Sequence, residues 1–231
     1  LDSETLHPDV VEVTKQRFNL YHAHIYLLDE QGENLVLTAG AGEAGRLMKE
    51  RGHSIPFNRT DSMVATAART HQGVISNDVT QAPNFLPNPL LPQTASEMAI
   101  PMMVGDMVIG VLDVQSIDKQ RFSDGDVQVQ TALASQIAVA VQNARTFQYV
   151  QTAQQETQRI YDMSQDMIGT ATFAGYFLTL NPAWERTLGY TLDELKAAPF
   201  LSFVHPDDVE PTLAEAGKLA QGAKAISFEN R

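Results

Sequence analysis

Any chemistry in this chain of 231 residues has to come from histidines, carboxylates and one glycine-rich run, because it contains no cysteine. That composition excludes disulfides, thiolate zinc sites, cysteine-ligated iron–sulfur clusters and cysteine nucleophiles. The run GAGEAG at 40–45 is a literal G-x-G-x-x-G between a strand-like and a helical stretch, with Asp61 following at about the Rossmann distance. A dinucleotide site is still not expected. Only residues 46–51 separate Gly45 from Gly52, too few for a helix that crosses a sheet, and the next strand candidate contains Pro56. Glu43 would also set a carboxylate beside the pyrophosphate. The run reads as a glycine-rich turn. His22 and His24 lie two apart on a strand and share a face, a spacing that metal ligands use, but no third ligand lies near them in sequence. His7, His53 and His71 are isolated. No Ser–His–Asp pattern, nucleophile elbow or P-loop is present, and Asp207-Asp208 sits at a helix start, where capping explains it. The expectation is a protein that is not an enzyme.

The elements that must position these residues alternate between strands and helices. Helical spacing over 8–19 leads to strands at 24–28 and 34–39, joined by the turn Asp29-Glu30-Gln31-Gly32. A short helix at 42–50, a strand at 54–57, a helix capped by Asp61 or Ser62 to about Arg69, and a strand at 73–76 follow. Four prolines (Pro83, Pro87, Pro89 and Pro92) then make 77–93 a long loop without regular structure, a kind usually kept for function. Two β-rich runs, 96–104 and 107–115, form a hairpin around Gly105-Asp106. Ser123 caps a helix free of Gly and Pro over 127–167, about 60 Å long at 1.5 Å per residue. The pattern restarts with a hairpin at 168–173 and 176–180. Helices follow near 182–188, capped by Asn181, at 192–197, and from Asp207 or Asp208 to about Ala220; a strand begins at 225–229.

Composition bounds the partners. With 43% hydrophobic residues the chain can bury real cores, and its length suits two domains. Acidic residues outnumber basic ones by 28 to 16, a net charge of −12 that repels phosphate backbones and anionic lipid, so no nucleic-acid partner is expected. No run approaches the apolar length of a membrane span, and no signal-peptide pattern opens the sequence. A cytoplasmic location is expected, for a segment cut from a longer chain.

The run MAIPMMVGDMVIGVLDVQS at 98–116, then FSDGD at 122–126 and a long amphipathic helix, resembles the C-terminal half of a GAF domain; VISNDV at 74–79 and the opening hairpin extend the likeness over 8–150. NPAW at 181–184, LGYTLDEL at 188–195 and VHPDD at 204–208 resemble the start of a PAS domain. The resemblance implies an α+β fold of two domains, each an antiparallel sheet flanked by helices. The GAF-like domain would span 8–150 with its last helix from about 123, a helical linker 151–166, and the first part of a PAS-like domain 167–231, its later strands lying outside this chain. It further implies the sensory or regulatory region of a bacterial signalling protein, of histidine kinase or cyclic-dinucleotide enzyme type. Such a region binds a small ligand or partner and passes a helix rearrangement to a C-terminal output domain; the alternative is a ligand-free structural dimerisation module.

Ligand classes known for GAF domains fit unevenly. Cyclic-nucleotide binders carry Asn-Lys, Phe and Asp-Glu where this chain has Asp118-Lys119, Phe122 and Asp126-Val127. Covalent bilin needs a cysteine and is excluded; haem on a histidine stays open, and the cofactor is otherwise unknown. A ligand site is expected between the sheet and the 77–93 loop, walled by Tyr26, Phe57, Met63, Ile75, Asp78 and Met98. Lys119 is expected to pair with Asp126, and Trp184 and Tyr190 to line a core or cavity. Leu133, Ile137, Ala140, Ala144 and Phe147, continued by Gln151, Gln154, Gln158 and Tyr161, step by fours and threes as a coiled-coil seam does. That seam predicts a parallel homodimer; the alternative is that the stripe packs on the domain's own sheet.

Overall fold

Alternating apolar strands build the first domain, and its helices close over both faces of the sheet they form. The computed structural model describes residues 9–222 and 227–231. The chain divides into two compact units, Leu1–Gln148 and Tyr149–Arg231. The first holds helix α1 (Asp9–Arg17), strands β1 (His22–Leu28) and β2 (Asn34–Gly40), helix α2 (Gly42–Glu50), strand β3 (Ser54–Pro56), helix α3 (Met63–Thr70) and strand β4 (Val74–Ser76). Strands β5 (Ser96–Val104) and β6 (Met107–Ser116) and the first part of helix α4 (Asp124–Met163) complete it. The sheet runs β3-β2-β1-β6-β5-β4, with every neighbouring pair antiparallel.

Turn chemistry sets the two hairpins. Asp29 accepts hydrogen bonds from the Glu33 amide (2.8 Å) and the Asn34 side chain (2.9 Å), and Gly32 takes the left-handed conformation that closes the turn. Gly105 does the same between β5 and β6. Opposite Ile25 and Tyr26, β2 carries Thr38 as an extra residue: Ile25 faces Ala39 and Tyr26 faces Leu37. Such a bulge shifts the side-chain phase, so Ala39 joins one core while Leu37 joins the other. Gly110 is needed where β6 meets β1, because a Cβ there would lie 2.2 Å from the Tyr26 carbonyl.

Both faces of the sheet are covered. On one, α1 and α4 pack Val11, Ile137, Ala138 and Val141 against Ile25, Met98, Ile100, Leu112 and Val114. On the other, α2 and α3 bring Met48, Met63, Val64 and Ala68 against Tyr26, Leu35, Leu37 and Val111. The glycine run is a close approach of backbone to backbone: a Cβ on Gly45 would fall 2.1 Å from the Gly40 carbonyl carbon, and Gly42 has a positive φ.

The 77–93 loop is less irregular than its prolines imply. Asp78 caps a single 3-10 turn, Val79–Gln81. The loop is then pinned at its start: Asn77 bonds both the amide (2.9 Å) and the carbonyl (2.8 Å) of Phe122, and Lys119 pairs with Asp78 at 2.7 Å. The expected Lys119–Asp126 pair is therefore corrected. Asp126 instead accepts from the Ser123 amide at 2.9 Å, capping α4, and meets Arg121 at 3.4 Å.

The α4 seam also divides differently from the sequence pattern. Leu133 and Ile137 belong to the domain's own core, while Ala140 and Phe147 are exposed. The stripe that covers the sheet is Gln130, Ala134, Ile137, Ala138 and Val141, a face with the same steps of four and three but rotated about the helix from the expected seam.

In the second unit, β7 (Gly169–Ala171) and β8 (Phe177–Leu180) form a two-stranded hairpin followed by α5 (Ala183–Leu188), α6 (Leu192–Ala197) and α7 (Val209–Ala220). Thr191 and Glu194 make a capping box on α6. Asn181 does not cap α5. Its buried amide accepts from the Ile168 N–H (2.9 Å) and donates to the Tyr161 and Asp166 carbonyls (3.1 and 2.9 Å), tying the end of α4 to the hairpin. Asp208 likewise makes no side-chain cap; its carboxylate binds Arg231 at 3.0 Å. Trp184 is half-buried beside Phe177, whereas Tyr190 is half exposed. Of the expected strand at 225–229, residues 225–226 lie outside the described residues and 227–229 are not in a strand.

Candidate functional site

Three central strands place polar side chains at alternate positions on a face that is nevertheless buried. His24 and Tyr26 come from β1, Glu97 from β5, Asp113 and Gln115 from β6, and all five are buried. Period-2 geometry points them away from the α1/α4 core and toward the α2/α3 side. There they line a cavity of about 400 Å³ together with Met48, Ile55 and Val64. Arg51, His53, Arg59 and Ser62 line it as well, and the loop segment from Leu86 to Leu90 contributes the remaining wall. Asn88 holds that segment, donating to the Met48 sulfur (3.3 Å) and accepting from the Leu90 amide (2.9 Å). Arg69 fixes the turn after β3 that carries Arg59 by donating to the Phe57 and Arg59 carbonyls, each at 2.6 Å.

The polar groups form one network. His24 Nδ1 donates to Asp113 Oδ2 at 3.0 Å, since an ionised carboxylate can only accept. Gln115 Nε2 donates to the same oxygen at 3.0 Å and to Glu97 at 3.4 Å, and Thr94 donates to the Gln115 amide oxygen at 2.7 Å. Two members are unfinished: Asp113 Oδ1 and His24 Nε2 are buried without a hydrogen-bond partner. No Lys or Arg forms an ion pair with either carboxyl group among the described residues.

Burial shapes the protonation of this cluster. It pushes the Glu97 carboxyl well above the usual carboxylate range, reinforced by the Asp113 charge and by the hydrogen bond between the two carboxyl groups. Glu97 is thus the member of the pair that keeps a proton. Burial, then Asp113 and Glu97, raise the Tyr26 phenol. His22 packs against His24 with ring centres 4.1 Å apart and the rings tilted by 57°; burial, then the neighbouring His24 and Lys15, push it down to about 2. Burial, then His24, lower His53, whose ring meets Tyr26 edge-on at 6.0 Å. Clusters of perturbed groups around a cavity are what functional sites look like physically. Among the described residues, no group of three His, Cys, Asp or Glu side chains is arranged to hold a metal ion.

A GAF domain model matches residues 1–142, more than half of the chain, and a PAS fold model matches 177–231. The chain belongs to the GAF domain family. Among solved structures, its GAF domain is similar to the second GAF domain of DevS from Mycobacterium smegmatis, at 20% identity and TM-score 0.52, over 64% of this chain and 99% of that one. The GAF domain of a phosphoenolpyruvate-protein phosphotransferase from Acinetobacter shares 21% identity and TM-score 0.50, over 60% and 81%. A type II free methionine-R-sulfoxide reductase from Thermoplasma acidophilum shares 25% identity and TM-score 0.50, over 59% and 89%. No curated protein matches the chain.

Of the six wall residues read from sequence, Tyr26 borders the cavity of the GAF domain. Met98 sits in the opposite core, under α4, and Met63 is packed within the α3 core. Phe57 borders a shallow surface depression with Gly32 and Asn58. Ile75 is on the edge strand, about one-third exposed, and Asp78 caps the 3-10 turn and holds Lys119. Glu97, Asp113 and Gln115 escaped the sequence reading. Their signal was polar residues alternating with apolar ones in strands that have to be covered on both faces.

Proposed function

We propose that this chain is the sensory and regulatory region of a cytoplasmic bacterial signal-transduction protein, whose GAF cavity binds a small ligand and whose long helix carries the response to an output domain of histidine kinase or cyclic-dinucleotide enzyme type. The observation that carries this reading is the tie between the cavity loop and α4. The segment that walls the cavity belongs to the 77–93 loop, and that loop's first residues, Asn77 and Asp78, grip Phe122 and Lys119 just before α4 begins. A ligand that prefers one loop position thereby biases the start of the helix, and only such a difference in affinity can shift the populations. The domain set agrees, since GAF and PAS domains together are typical of signalling proteins. No described helix is long and apolar enough to cross a membrane.

A catalytic role is not proposed. One structurally similar protein is a free methionine-R-sulfoxide reductase, but this chain has no cysteine to attack a sulfoxide. A second reading, dimerisation without a ligand, rests on the outward face of α4. Val129, Ala132, Gln136, Ala140, Asn143 and Phe147 are all exposed at steps of three and four, with Phe147 69% exposed. A second copy of the chain would cover that face, and the two readings coexist if ligand binding alters the packing of the pair.

A thermal-shift panel of small metabolites tests the sensor: a ligand that raises the melting temperature of wild type but not of a cavity variant supports it, and no responder leaves the scaffold reading. Light scattering tests the pair. A mass near twice 25.4 kDa supports the homodimer, and a monomer at tens of micromolar removes it.

A further inference from the structure

The cavity's chemistry is lopsided in a way that selects its occupant. Its buried wall offers acceptors: the free Asp113 Oδ1, the free His24 Nε2 in the tautomer whose Nδ1 donates to Asp113, and the Glu97 carboxyl, which turns from donor to acceptor when it loses its proton. The amide and imidazole donors there are already spent, with Gln115 Nε2 serving Asp113 and Glu97 and His24 Nδ1 serving Asp113, and the Tyr26 phenol, which can donate or accept, stands beside them. Cationic side chains stand apart from the carboxyls. Arg51 and Arg59 line the same cavity, Arg51 exposed and Arg59 half-buried; Arg59 is engaged by Asp61 at 2.8 Å, and Arg51 has no ion-pair partner among the described residues. Between acidic wall and basic rim lie Met48, Ile55, Val64, Leu86 and Leu90.

We infer that the GAF cavity binds a small molecule with a primary ammonium group on the Glu97–Asp113 pair and a carboxylate toward Arg51, the chemistry of a free amino acid. This rests on the proposal that the cavity is a ligand site and specifies what enters it. An ammonium brings three donors to three acceptors and the positive charge that two buried carboxyls lack. A carboxylate or phosphate facing the same wall would meet acceptors and negative charge. A quaternary ammonium brings charge without donors and leaves the acceptors unfilled.

The same geometry couples binding to protons. In the empty cavity Glu97 holds a proton because of burial and Asp113. An ammonium beside it favours the ionised form, so binding releases that proton and tightens as pH rises, by up to about tenfold per pH unit while one proton leaves. The titratable and charged groups facing the pair are His24 and Tyr26 on β1, Asp113 on β6, His53 before β3, and Arg51 and Arg59 at the rim. His22 packs behind His24. Lowered pKa values keep His22 and His53 neutral near pH 7, so neither supplies a competing proton there.

Calorimetry and thermal shift on the full 231-residue chain provide the test, with the twenty free amino acids, their deaminated acids and trimethylglycine as probes. The expected result is binding by one or more amino acids, with the matching deaminated acid and trimethylglycine at least roughly thirtyfold weaker, the loss expected when a buried charge lacks its partner. Glu97→Gln and Asp113→Asn should each weaken the amino acid at least roughly tenfold, and Glu97→Gln should also abolish the rise of affinity with pH. Should Asp113→Asn fail to fold, Glu97→Gln decides alone. Binding of the deaminated acids in preference to the amino acids overturns the ammonium assignment and leaves the sensory cavity standing. No binding from any probe overturns both. Equal affinity in wild type and Glu97→Gln at every pH overturns the role given to the carboxyl pair.

Discussion

The two faces of the central sheet are made by neighbouring residues and do opposite work. On β6, Leu112 and Val114 face α1 and α4 in a mainly apolar core, while Asp113 and Gln115 face the cavity. On β1, Ile25 sits between His24 and Tyr26; on β5, Met98 follows Glu97. The apolar face gains free energy from each side chain it buries, at about 25 cal/mol per Å². The polar face gives some of that back by burying carboxyl and imidazole groups with hydrogen-bonding capacity left over. One side of the three strands is covered mainly by apolar side chains, and the other shares its face between a second apolar core and the polar wall of the cavity.

Mutation should separate the two faces by size and by pH. The largest effect is expected from Leu112→Ala on the apolar face: the side chain is fully buried, and urea unfolding should show a loss of about 2–5 kcal/mol with no pH dependence. Next comes His22, behind the polar network. Its native pKa of about 2 lies below the unfolded value of 6.5, so the unfolded chain takes up a proton that the folded one refuses as pH falls. Stability is therefore full above 6.5 and is lost progressively below it, by about 2 kcal/mol between pH 7 and pH 5. His22→Leu should remove that part of the acid slope; an unchanged slope would show that His22 takes a proton in the folded state.

A smaller effect of opposite sign is expected at Glu97. Its native pKa is raised, so its contribution to stability is present below the unfolded value of 4.5 and declines as pH rises toward the native one. Glu97→Gln should melt at or above wild type, the gap widening with pH, and a clear loss of stability at pH 8 would break the claim that this face is built at a cost. The smallest effect is expected where the cavity loop is tied down. Lys119 is 55% exposed, so Lys119→Ala should cost about 0–1 kcal/mol in unfolding experiments. Phe147→Glu should likewise leave the fold within about 0.5 kcal/mol, because the ring is exposed, while dissociating any dimer in light scattering.

Much of the first domain was legible because its strands are apolar-rich runs bounded by turns that carry their own chemistry. The hairpin around Gly105, the cap at Ser62 and the box at Thr191–Glu194 follow from local rules. The errors share a cause. Asn181 reads as a cap because Asn-Pro starts helices, yet its amide serves the end of α4 and the hairpin strand, residues up to twenty positions away. Lys119 has a carboxylate seven residues on, yet a closer one arrives from the loop, 41 positions earlier. In each case a short-range partner available in sequence lost to one delivered by tertiary folding.

By itself, the amino-acid order determined the element sequence, the antiparallel pairing, the glycine turn at 40–45 and the family likeness of both domains, because propensity, alternation and turn residues act over a few positions. Only the tertiary structure decided that the α2/α3 side of the sheet is closed over, and with it that Glu97, Asp113, Gln115 and His24 share one cavity. The physical reason is that a polar residue alternating in a strand reads as solvent-facing until another element covers it. The cover here, residues 86–90 of the proline-rich loop together with α2 and α3, is remote in sequence from β1 and β6. Burial made carboxyls that read in sequence as surface groups into the wall of a cavity.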